Sequence, residues 1–264
     1  STFNLINHRA GLINGLLDEG YEVVALSPTD EFASRLKELD CHHVPLQMER
    51  KGTHIGRDLM LFWRYRRLLK QHMPDIYLGF TVKPNIYGSL AAQSLGIPVI
   101  NNISGLGTVF GAMSTSIVGN FLARLVRVLY RFALSRSGKI FFQNKDDRRE
   151  FIEQGIVKAH LTDLLPGSGV DLDRFAYTPI IATDCSSKVS SEWKQTRFLL
   201  IARMLWDKGV GEYVEAARLL SRRYPRTEFC MIGFLDFGNP EAISEAQINK
   251  IAEGIVQYLG FIND

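Results

Sequence analysis

Short apolar runs alternate with longer amphipathic segments along most of the chain. The runs are typical of buried strands, and the segments, in which apolar residues recur every three or four positions, are typical of helices. Such alternation indicates a parallel sheet with helices on both faces. The pattern predicts strands at 21–26, 42–46, 75–80, 97–103, 139–143 and 161–165, with helices from the first residues to Gly20 and at 31–39, 58–72, 85–95, 117–136 and 145–154.

The first predicted helix begins almost at once, with no strand before it. A doubly wound domain ordinarily starts with a strand, so we expect a strand to be missing from this end. The expected core face of the helix consists of Leu5, Leu12, Leu16 and Leu17.

The segment 167–192 interrupts the alternation. It contains GSGVD, a proline and a cluster of serines, which is typical of a linker between domains. We therefore expect two Rossmann-like doubly wound domains, at 1–175 and 193–264, joined by a linker at 176–192. The second domain has too few strand–helix units to close, and we expect it to be incomplete. Its predicted strands are 198–202, 227–232 and 255–259, and its predicted helices are 210–223 and 244–253.

The stretch FLLIARMLWDKGVG, residues 198–211, joins a predicted buried strand to a predicted helix. Arg203 follows the strand directly, and Lys208 and Gly209 stand where the helix starts. Ligands of open α/β sheets bind at the carboxyl ends of the strands, and a helix start offers free N–H groups to an anion. A guanidinium and an ammonium on this loop therefore indicate a diphosphate site, with solvated surface charges as the alternative. The expected buried face of the helix is Val210, Val214, Ala217, Leu219 and Leu220.

Polar side chains also follow two strands of the first domain. Lys83 and Asn85 come after 75–80. The pattern indicates no structural role for Lys83, which would suit a phosphate if it faces a cleft, with an ordinary surface lysine as the alternative. Asn85 could alternatively cap a helix. Asn144 holds the corresponding place after 139–143, and capping of the next helix is again the alternative.

Gly105 and Gly107 follow a further strand. Their loop either lets a ligand approach the backbone or is an ordinary flexible turn. The spacing does not fit G-x-G-x-x-G, and no acidic residue lies at the distance needed to bind a ribose, so we do not expect a nicotinamide or flavin site.

Two predicted helices, 58–72 and 117–136, are apolar and basic together. Most of their apolar residues are expected to face the sheet. The cations, with Phe62, Trp63, Phe121 and Phe132 nearby, also suit an anionic membrane surface. A nucleic-acid partner is not expected, because no aromatic platform or recognised module accompanies the charge. The cations are Arg57, Arg64, Arg66, Arg67, Lys70, Arg124, Arg127, Arg131 and Arg136.

With 264 residues the chain can bury a full core, and its net charge of +3 is too small to indicate nucleic acid. Cys41, Cys185 and Cys230 lie far apart, which indicates reduced cysteines in a cytoplasmic protein. H-E-x-x-H, C-x-x-C and G-x-S-x-G motifs are absent, so we predict no structural metal and no serine nucleophile. We expect neither a secretory signal nor a transmembrane segment.

Several stretches together resemble the family-4 retaining glycosyltransferases with the GT-B fold, in the branch that builds bacterial polysaccharides and lipid-linked glycans. Each stretch alone is a weak signal, but the combination is specific and covers nearly the whole chain. The stretches are FNLINHRAGLINGLLDEGYEVVALSP, GFTVKPNIYGSLAAQSLGIPVINNISGLGTVF, FFQNKDDRREFIEQGIV, LPGSGVDLDRF and FLLIARMLWDKGVGEYVEAARLL.

The resemblance implies that Arg203 and Lys208, with Gly209, hold the donor diphosphate and that Gly233 lies near the donor nucleotide. It implies that the acceptor-facing loops carry Lys83, Asn85, Gly105 and Gly107, to which we add Asn144, and that Asn7 and Arg9 lie in a glycine- or asparagine-bearing loop. The resemblance implies that the family's E-x7-E segment, which contacts the donor, lies past Asp264. We therefore expect the chain to be a fragment that transfers sugar poorly or not at all.

The resemblance implies transfer of a sugar from a nucleoside-diphosphate sugar, a UDP-sugar, to a hydroxyl of a glycan or polyprenyl-diphosphate-linked acceptor, with retention. We expect no metal and no other cofactor, since fixed cations can stabilise the leaving group. The expected partners are the nucleotide sugar, the acceptor and the inner face of an anionic cytoplasmic membrane. One alternative is a non-catalytic nucleotide-sugar or glycan-binding module. Another is a sugar-nucleotide epimerase, against which the lack of a dinucleotide fingerprint and of a Tyr-x-x-x-Lys pair argues.

Overall fold

The predicted alternation of strands and helices is present in the computed structural model, and most of the strands are shorter than the sequence pattern indicates. The chain divides into two compact units, Ser1–Pro179 and Ile180–Asp264. The predicted linker at 176–192 lies almost entirely outside the described residues and stays a prediction. The structure describes residues 1–30, 32–36, 39–49, 55–105, 117–177, 196–236, 242–252 and 254–262, with only the backbone at residue 55 and residues 117–122.

The described residues of the first unit form two parallel sheets. Strands β3 to β6 form one sheet in chain order, and β1 pairs with β2 in the other. Because all strand pairs are parallel, the carboxyl ends of β3 to β6 meet at one edge, where ligands bind in folds of this class. The elements are α1 Thr2–Asp18, β1 Val24–Ser27, α2 Ala33–Leu36, β2 His42–Pro45, α3 Ile55–His72, β3 Tyr77–Phe80, a π-helical turn Pro84–Gly88, α4 Ser89–Gln93, β4 Val99–Ile103, α5 Ile117–Leu134, β5 Lys139–Phe142, α6 Lys145–Glu153 and β6 Thr162–Leu164.

The larger sheet buries one face under helices. Ile140 and Phe142 of β5 are fully buried and pack with Tyr130 of α5 and Phe151 of α6. The rings of Phe142 and Phe151 meet edge to face with centroids 5.3 Å apart, a favoured geometry for aromatic pairs. A second cluster packs one stripe of α3 against β3 and α4. The apolar residues whose spacing predicts these helices are therefore the residues that pack against the sheet.

Helix α1 buries a face that only partly overlaps the expected one, since Leu5 and Leu17 pack against the core but are not its most buried residues. Its buried residues are Thr2, Ile6, Arg9 and Ile13, which are three or four positions apart. Leu12, expected in the core, is exposed. The guanidinium of Arg9 is held over the ring of Phe80 at 4.5 Å, and this contact turns the Arg9 side of the helix inward. Counting leucines could not show this, because a buried arginine is rare without a specific contact.

A buried polar network fixes the π-helical turn and α4 against β4. The Asn101 side-chain amide donates to Asn85 Oδ1 at 2.9 Å and to Ser89 Oγ at 2.8 Å. Asn101 Oδ1 accepts from Ser137 Oγ at 2.6 Å, and Asn85 Nδ2 donates to the carbonyl of Asn102 at 2.9 Å. Because such groups are costly to bury unpaired, a satisfied network of this kind selects one packing arrangement.

The second unit contains a three-stranded parallel sheet in the order β7-β8-β9. Its core forms between the sheet and the two helices and includes Val210, Val214 and Ala217, as predicted. Two expectations were wrong. Leu219 is 71% exposed, and β7 is largely exposed, with Ile201 at 73%. Within the described residues β7 pairs only with β8, so one edge of it stays open. The elements are β7 Thr196–Ile201, α7 Val210–Arg223, β8 Thr227–Ile232, α8 Glu245–Ala252 and β9 Val256–Tyr258.

We predict that Gly88→Ala lowers the free energy of unfolding by about 1–3 kcal/mol, the usual cost of overpacking a core. A Cβ at this position would lie 1.9 Å from the hydroxyl oxygen of the buried Tyr77. That hydroxyl donates to the carbonyl of Pro84 at 3.1 Å, so the ring cannot withdraw without losing a hydrogen bond. Urea unfolding followed by circular dichroism measures the change.

The matched control is Gly15→Ala in the exposed part of α1, where a Cβ would meet no described atom within 4 Å. It should stabilise the protein by up to about 1 kcal/mol, the difference in helix propensity. Equal effects of the two substitutions would contradict the packing of Gly88 on Tyr77.

Candidate functional site

The carboxyl ends of β3 and β4 form a cleft of about 270 Å³. It brings together Asn85 and Gly105, two of the residues predicted to face the acceptor. Gly107 lies outside the described residues. The cleft is lined by Thr81, Val82, Asn85, Ile103, Ser104, Gly105 and Tyr130.

Thr81, the first residue after β3, has a left-handed backbone conformation with φ of +65°. For a β-branched residue this conformation is an outlier, and residues held in it cost about 1–3 kcal/mol. Its carbonyl accepts from the backbone N–H of Asn85 at 3.0 Å. The chain therefore turns sharply from the strand into the helical segment, and the turn exposes the Thr81 side chain at the cleft.

Asn85 is fully buried, and its side chain is engaged in the network with Asn101 and Asn102. It shapes the floor of the cleft and does not cap a helix with its side chain among the hydrogen bonds of the described residues. Its predicted role toward an acceptor stays a prediction.

Lys83 was expected to have no structural role, and this was wrong. Its Nζ lies 2.8 Å from Oδ1 of Asp58 in α3, and both side chains are mostly buried. The other carboxylate oxygen accepts from the hydroxyl of Tyr87 at 3.3 Å. Because a buried carboxylate needs a partner, the role of Lys83 is to neutralise Asp58. Lys83 is not among the residues that line the cleft.

Asn7 and Arg9 lie in helix α1, not in a loop as the resemblance implied. The Arg9 side chain, 7% exposed, stacks on Phe80 and donates from Nη1 to Ser168 Oγ at 2.8 Å. Among the described residues its Nε has no hydrogen-bond partner. Burial lowers the pKa of the guanidinium, which still stays charged at neutral pH. Asn7 Oδ1 accepts from Arg174 at 3.3 Å.

Asn144 is the amino-terminal cap of α6. Its Oδ1 accepts from the backbone N–H of Asp147 at 2.7 Å, and Asp146 and Asp147 lie in the first turn. The capping alternative therefore accounts for this residue. The Asn144 side chain accepts from a free backbone amide at the helix start, and the two acids interact favourably with the helix dipole.

In the second unit, Arg203 leaves the sheet just after β7. Its guanidinium lies 3.3 Å from Oδ2 of Asp236, which follows β8, and the arginine side chain remains 45% exposed. The neighbouring Met204 and Leu205 are buried. The backbone of Met204 is hydrogen-bonded to Phe234 and Ile243. The backbone next to Arg203 is therefore held by hydrogen bonds to two other segments, which limits the positions that the guanidinium can occupy.

Lys208 ends a short 3₁₀ turn, and Gly209, with φ of +76°, leads into α7. Lys208 Nζ lies 3.2 Å from Oδ2 of the adjacent Asp207, and both side chains are about half exposed. No side chain among the described residues caps the first amides of α7. A cation and uncapped helix amides thus stand together at the position predicted for a diphosphate.

Gly233 allows the ends of β7 and β8 to approach closely. A Cβ there would lie 1.6 Å from the carbonyl oxygen of Ala202. The Gly233 carbonyl accepts from the hydroxyl of Tyr258 at 2.6 Å. The glycine is needed for the backbone that carries Arg203, whatever its role toward a nucleotide.

Sequence reasoning missed the residues that hold these side chains in place. Asp58 and Asp236 carry no local signal, because their cationic partners lie far away in the chain. Ser168 stands between two glycines with positive φ, and the GSG sequence could have indicated a shaped loop. No group of three or more His, Cys, Asp or Glu residues in the described part of the chain is arranged to hold a metal.

The chain is similar to a curated protein from Campylobacter jejuni, an N,N'-diacetylbacillosaminyl-diphospho-undecaprenol alpha-1,3-N-acetylgalactosaminyltransferase. The two are 26% identical over 268 residues, which cover 99% of this chain and 68% of the relative.

Solved structures share the fold at low sequence identity. Anabaena HepE, crystallised with UDP-glucose, has a TM-score of 0.65 at 16% identity, covering 96% of this chain and 65% of that one. A glycosyltransferase from Rickettsia africae has a TM-score of 0.64 at 16% identity, with 97% and 65% covered. A putative UDP-N-acetylglucosamine 2-epimerase from Listeria monocytogenes has a TM-score of 0.58 at 13% identity, with 100% and 67% covered.

These likenesses confirm the expected α/β fold of GT-B type with Rossmann-like domains. Since an epimerase shares the fold, the fold alone does not distinguish transfer from epimerisation. The chain spans about two thirds of the length of these relatives.

The family match distinguishes a transferase from an epimerase. Residues 7–167 match the model of the glycosyl transferase 4-like domain. This match covers more than half of the chain and includes the cleft and the buried arginine of the first unit. The chain belongs to the glycosyl transferase 4-like family.

Proposed function

We propose that this protein transfers a sugar from a nucleoside-diphosphate sugar, a UDP-sugar, to a hydroxyl of a polyprenyl-diphosphate-linked glycan with retention of configuration. The observation that carries the proposal is that Arg203 and Lys208 both lie on the loop that leads to the uncapped start of α7. Family membership supports transfer. The names of the relatives, which include a transferase acting on an undecaprenol-linked glycan and a protein crystallised with UDP-glucose, support the two substrates.

The two cations are available to a ligand. Each cation is about half exposed in its ion pair with an aspartate, and an exposed pair such as Lys208–Asp207 is worth only about 0–1 kcal/mol. A diphosphate carries more charge than a carboxylate and can accept bidentate hydrogen bonds from a guanidinium. It would therefore displace the exposed Asp207 from Lys208 at low cost. Arg203 can bind it through guanidinium N–H groups other than those on Nη1, which faces the mostly buried Asp236.

In the proposed reaction the acceptor oxygen forms a bond to the anomeric carbon, and the bond from that carbon to the diphosphate oxygen breaks. The leaving diphosphate gains negative charge, which Arg203, Lys208 and the α7 amides stabilise. The proton of the acceptor hydroxyl passes to an oxygen of the leaving phosphate. We assign no side-chain nucleophile and no metal to this reaction.

The surface of the first unit suits an acceptor carried on an anionic membrane. One exposed face of α3 presents Leu59, Met60, Trp63, Arg67 and Lys70, and we name these residues the α3 surface. Trp63 is 57% exposed. The acid of this helix, Asp58, is buried and neutralised by Lys83, so the surface is cationic as well as apolar. Basic aromatic faces of this kind bind anionic interfaces.

Helix α5 has a similar exposed face, with Arg124, Val128, Arg131 and the 66% exposed Phe132. Both helices pack beside the segment formed by the π-helical turn and α4. Three other residues of α3 do not belong to the α3 surface. Phe62 is partly buried against the core, Arg64 donates to the carbonyl of Gln47, and Arg66 donates to the hydroxyl of Ser94. No described helix is both long and apolar enough to cross a bilayer.

We predict that Arg203→Ala and Lys208→Ala each lower kcat/KM for the nucleotide sugar by about 10²–10³-fold, because each removes a fixed cation from the leaving group. The assay is mass spectrometry of products from a panel of UDP- and GDP-sugars with a polyprenyl-diphosphate-linked glycan, together with calorimetric titration of UDP. The control is Arg197→Ala, at the amino end of the same strand, where Arg197 pairs with Glu228 at 2.7 Å on the surface. It should leave both measurements within about twofold, the range expected for surface substitutions.

Unchanged kinetics and UDP affinity in both cation variants would remove the donor-site assignment. Tight UDP binding that depends on the two cations, without transfer from any sugar in the panel, would favour a non-catalytic binding module.

We predict that the double variant Arg67→Glu/Lys70→Glu binds vesicles of phosphatidylglycerol and phosphatidylcholine about tenfold or more weakly than the unmodified protein, since each surface cation contributes about 1 kcal/mol. Vesicle co-sedimentation at two salt concentrations measures the difference. The control is Arg222→Glu/Arg223→Glu, which makes the same charge change at the exposed end of α7. Equal loss in the two double variants, or equal binding to vesicles without phosphatidylglycerol, would contradict a specific α3 surface.

A further inference from the structure

The exposed threonine at the exit of β3 has a backbone conformation that its residue type disfavours. Thr81 has φ of +65°, whereas β-branched residues avoid the left-handed region. Its side chain is exposed and lines the cleft with Ser104 and Gly105. Strained residues of this kind occur preferentially at ligand sites, where the surrounding structure holds them in place.

The fold explains why the backbone of Thr81 has a left-handed conformation, but it does not explain why the residue is a threonine. The chain must turn at Thr81 so that Asn85 can reach Asn101 and Asn102, and the Thr81 carbonyl receives the backbone N–H of Asn85. A glycine would make the same turn without strain. What the threonine adds is a hydroxyl and a methyl group at the mouth of the cleft.

The cleft is suited to an uncharged, hydroxyl-bearing ligand. Its described lining combines the hydroxyls of Thr81 and Ser104 with apolar walls from Val82 and Ile103 and contains no charged residue. The nearby ammonium of Lys83 is bound to Asp58. With a volume of about 270 Å³, the cleft is slightly smaller than the usual ligand pocket and fits a single ring better than a diphosphate or a whole glycan.

We infer that Thr81 is an acceptor-binding residue whose hydroxyl holds a hydroxyl of the terminal acceptor sugar in this cleft. The inference rests on the proposed function and adds to it a residue that contacts the acceptor sugar and the chemistry of that contact. Thr81 and Ser104 both donate and accept hydrogen bonds, as a sugar hydroxyl does. The ring of Tyr130 and the methyl groups of Val82 and Ile103, which also line the cleft, pack on the apolar face of the sugar.

The test compares two substitutions that relieve the same kind of backbone strain. Thr81→Gly changes the cleft, whereas Met73→Gly changes a residue with φ of +42° after α3 that is 61% exposed and outside the cleft. Both should raise the melting temperature by about 2–4 °C. Thr81→Gly should also raise KM for the acceptor by about tenfold, the loss of one hydrogen bond, with KM for the donor unchanged. Met73→Gly should leave both constants unchanged.

Thr81→Ser, which keeps the hydroxyl, should restore the acceptor KM to within about twofold of the original, because the same hydrogen bond can form. An acceptor KM that Thr81→Gly leaves unchanged would overturn the inference, and so would a failure of serine to restore it. A lower melting temperature for Thr81→Gly would show that the backbone is not strained and would overturn it as well.

Saturation-transfer NMR with free neutral sugars separates this inference from the proposed function. Sugar contacts that disappear in Thr81→Gly and persist in Met73→Gly support the subsite even if the protein transfers no sugar, and the proposed function then fails alone. Absence of sugar contacts with the unmodified protein would overturn the subsite even if transfer occurs.

Discussion

The side-chain amide of Asn101 holds the candidate acceptor region together. From inside β4 it bonds to Asn85 and Ser89, while its carbonyl oxygen accepts from Ser137. These bonds fix the π-helical turn and α4 over the carboxyl ends of the strands. Breaking any of them would leave a buried polar group unpaired. This cost offsets the strain at Thr81, because the network can form only when the chain turns sharply out of β3.

The second unit reaches the same kind of rigidity with backbone contacts. Gly233 lets the ends of β7 and β8 approach to a distance that no side chain permits. Hydrogen bonds continue past the strand ends, from Ala202 to Ile232 and from Met204 to Phe234. Arg203 lies between these anchored residues. A fixed cation is more useful to a developing anion than a mobile one, because no reorganisation is needed as charge appears.

The sequence predicted the alternation of strands and helices well, since hydrophobic periodicity is a local property. It placed Arg203, Lys208 and Gly209 at the exit of β7 and the start of α7. The family resemblance, and not the periodicity, placed Asn85 and Gly105 in one cleft, and it placed Lys83 there too, which was wrong. The sequence could not show that Asp58 pairs with Lys83 or that Asp236 pairs with Arg203, because these partners are remote in the chain. It also missed the rotation of α1 and the strain at Thr81. Both are set by tertiary contacts, and neither leaves a pattern in residue spacing.

The distribution of charge between the two sites is consistent with a division of substrates. The cleft of the first unit has no charged residue in its described lining. The nearby Lys83 is paired with Asp58, and Arg9 packs on Phe80. A diphosphate would gain little there, whereas a sugar ring could keep its hydrogen bonds and cover apolar surface. The loop of Arg203 and Lys208 has the opposite character, because its two cations attract a diphosphate and offer a neutral sugar no comparable charge interaction. The two ligand classes can therefore be told apart by charge alone, before any detail of shape is considered.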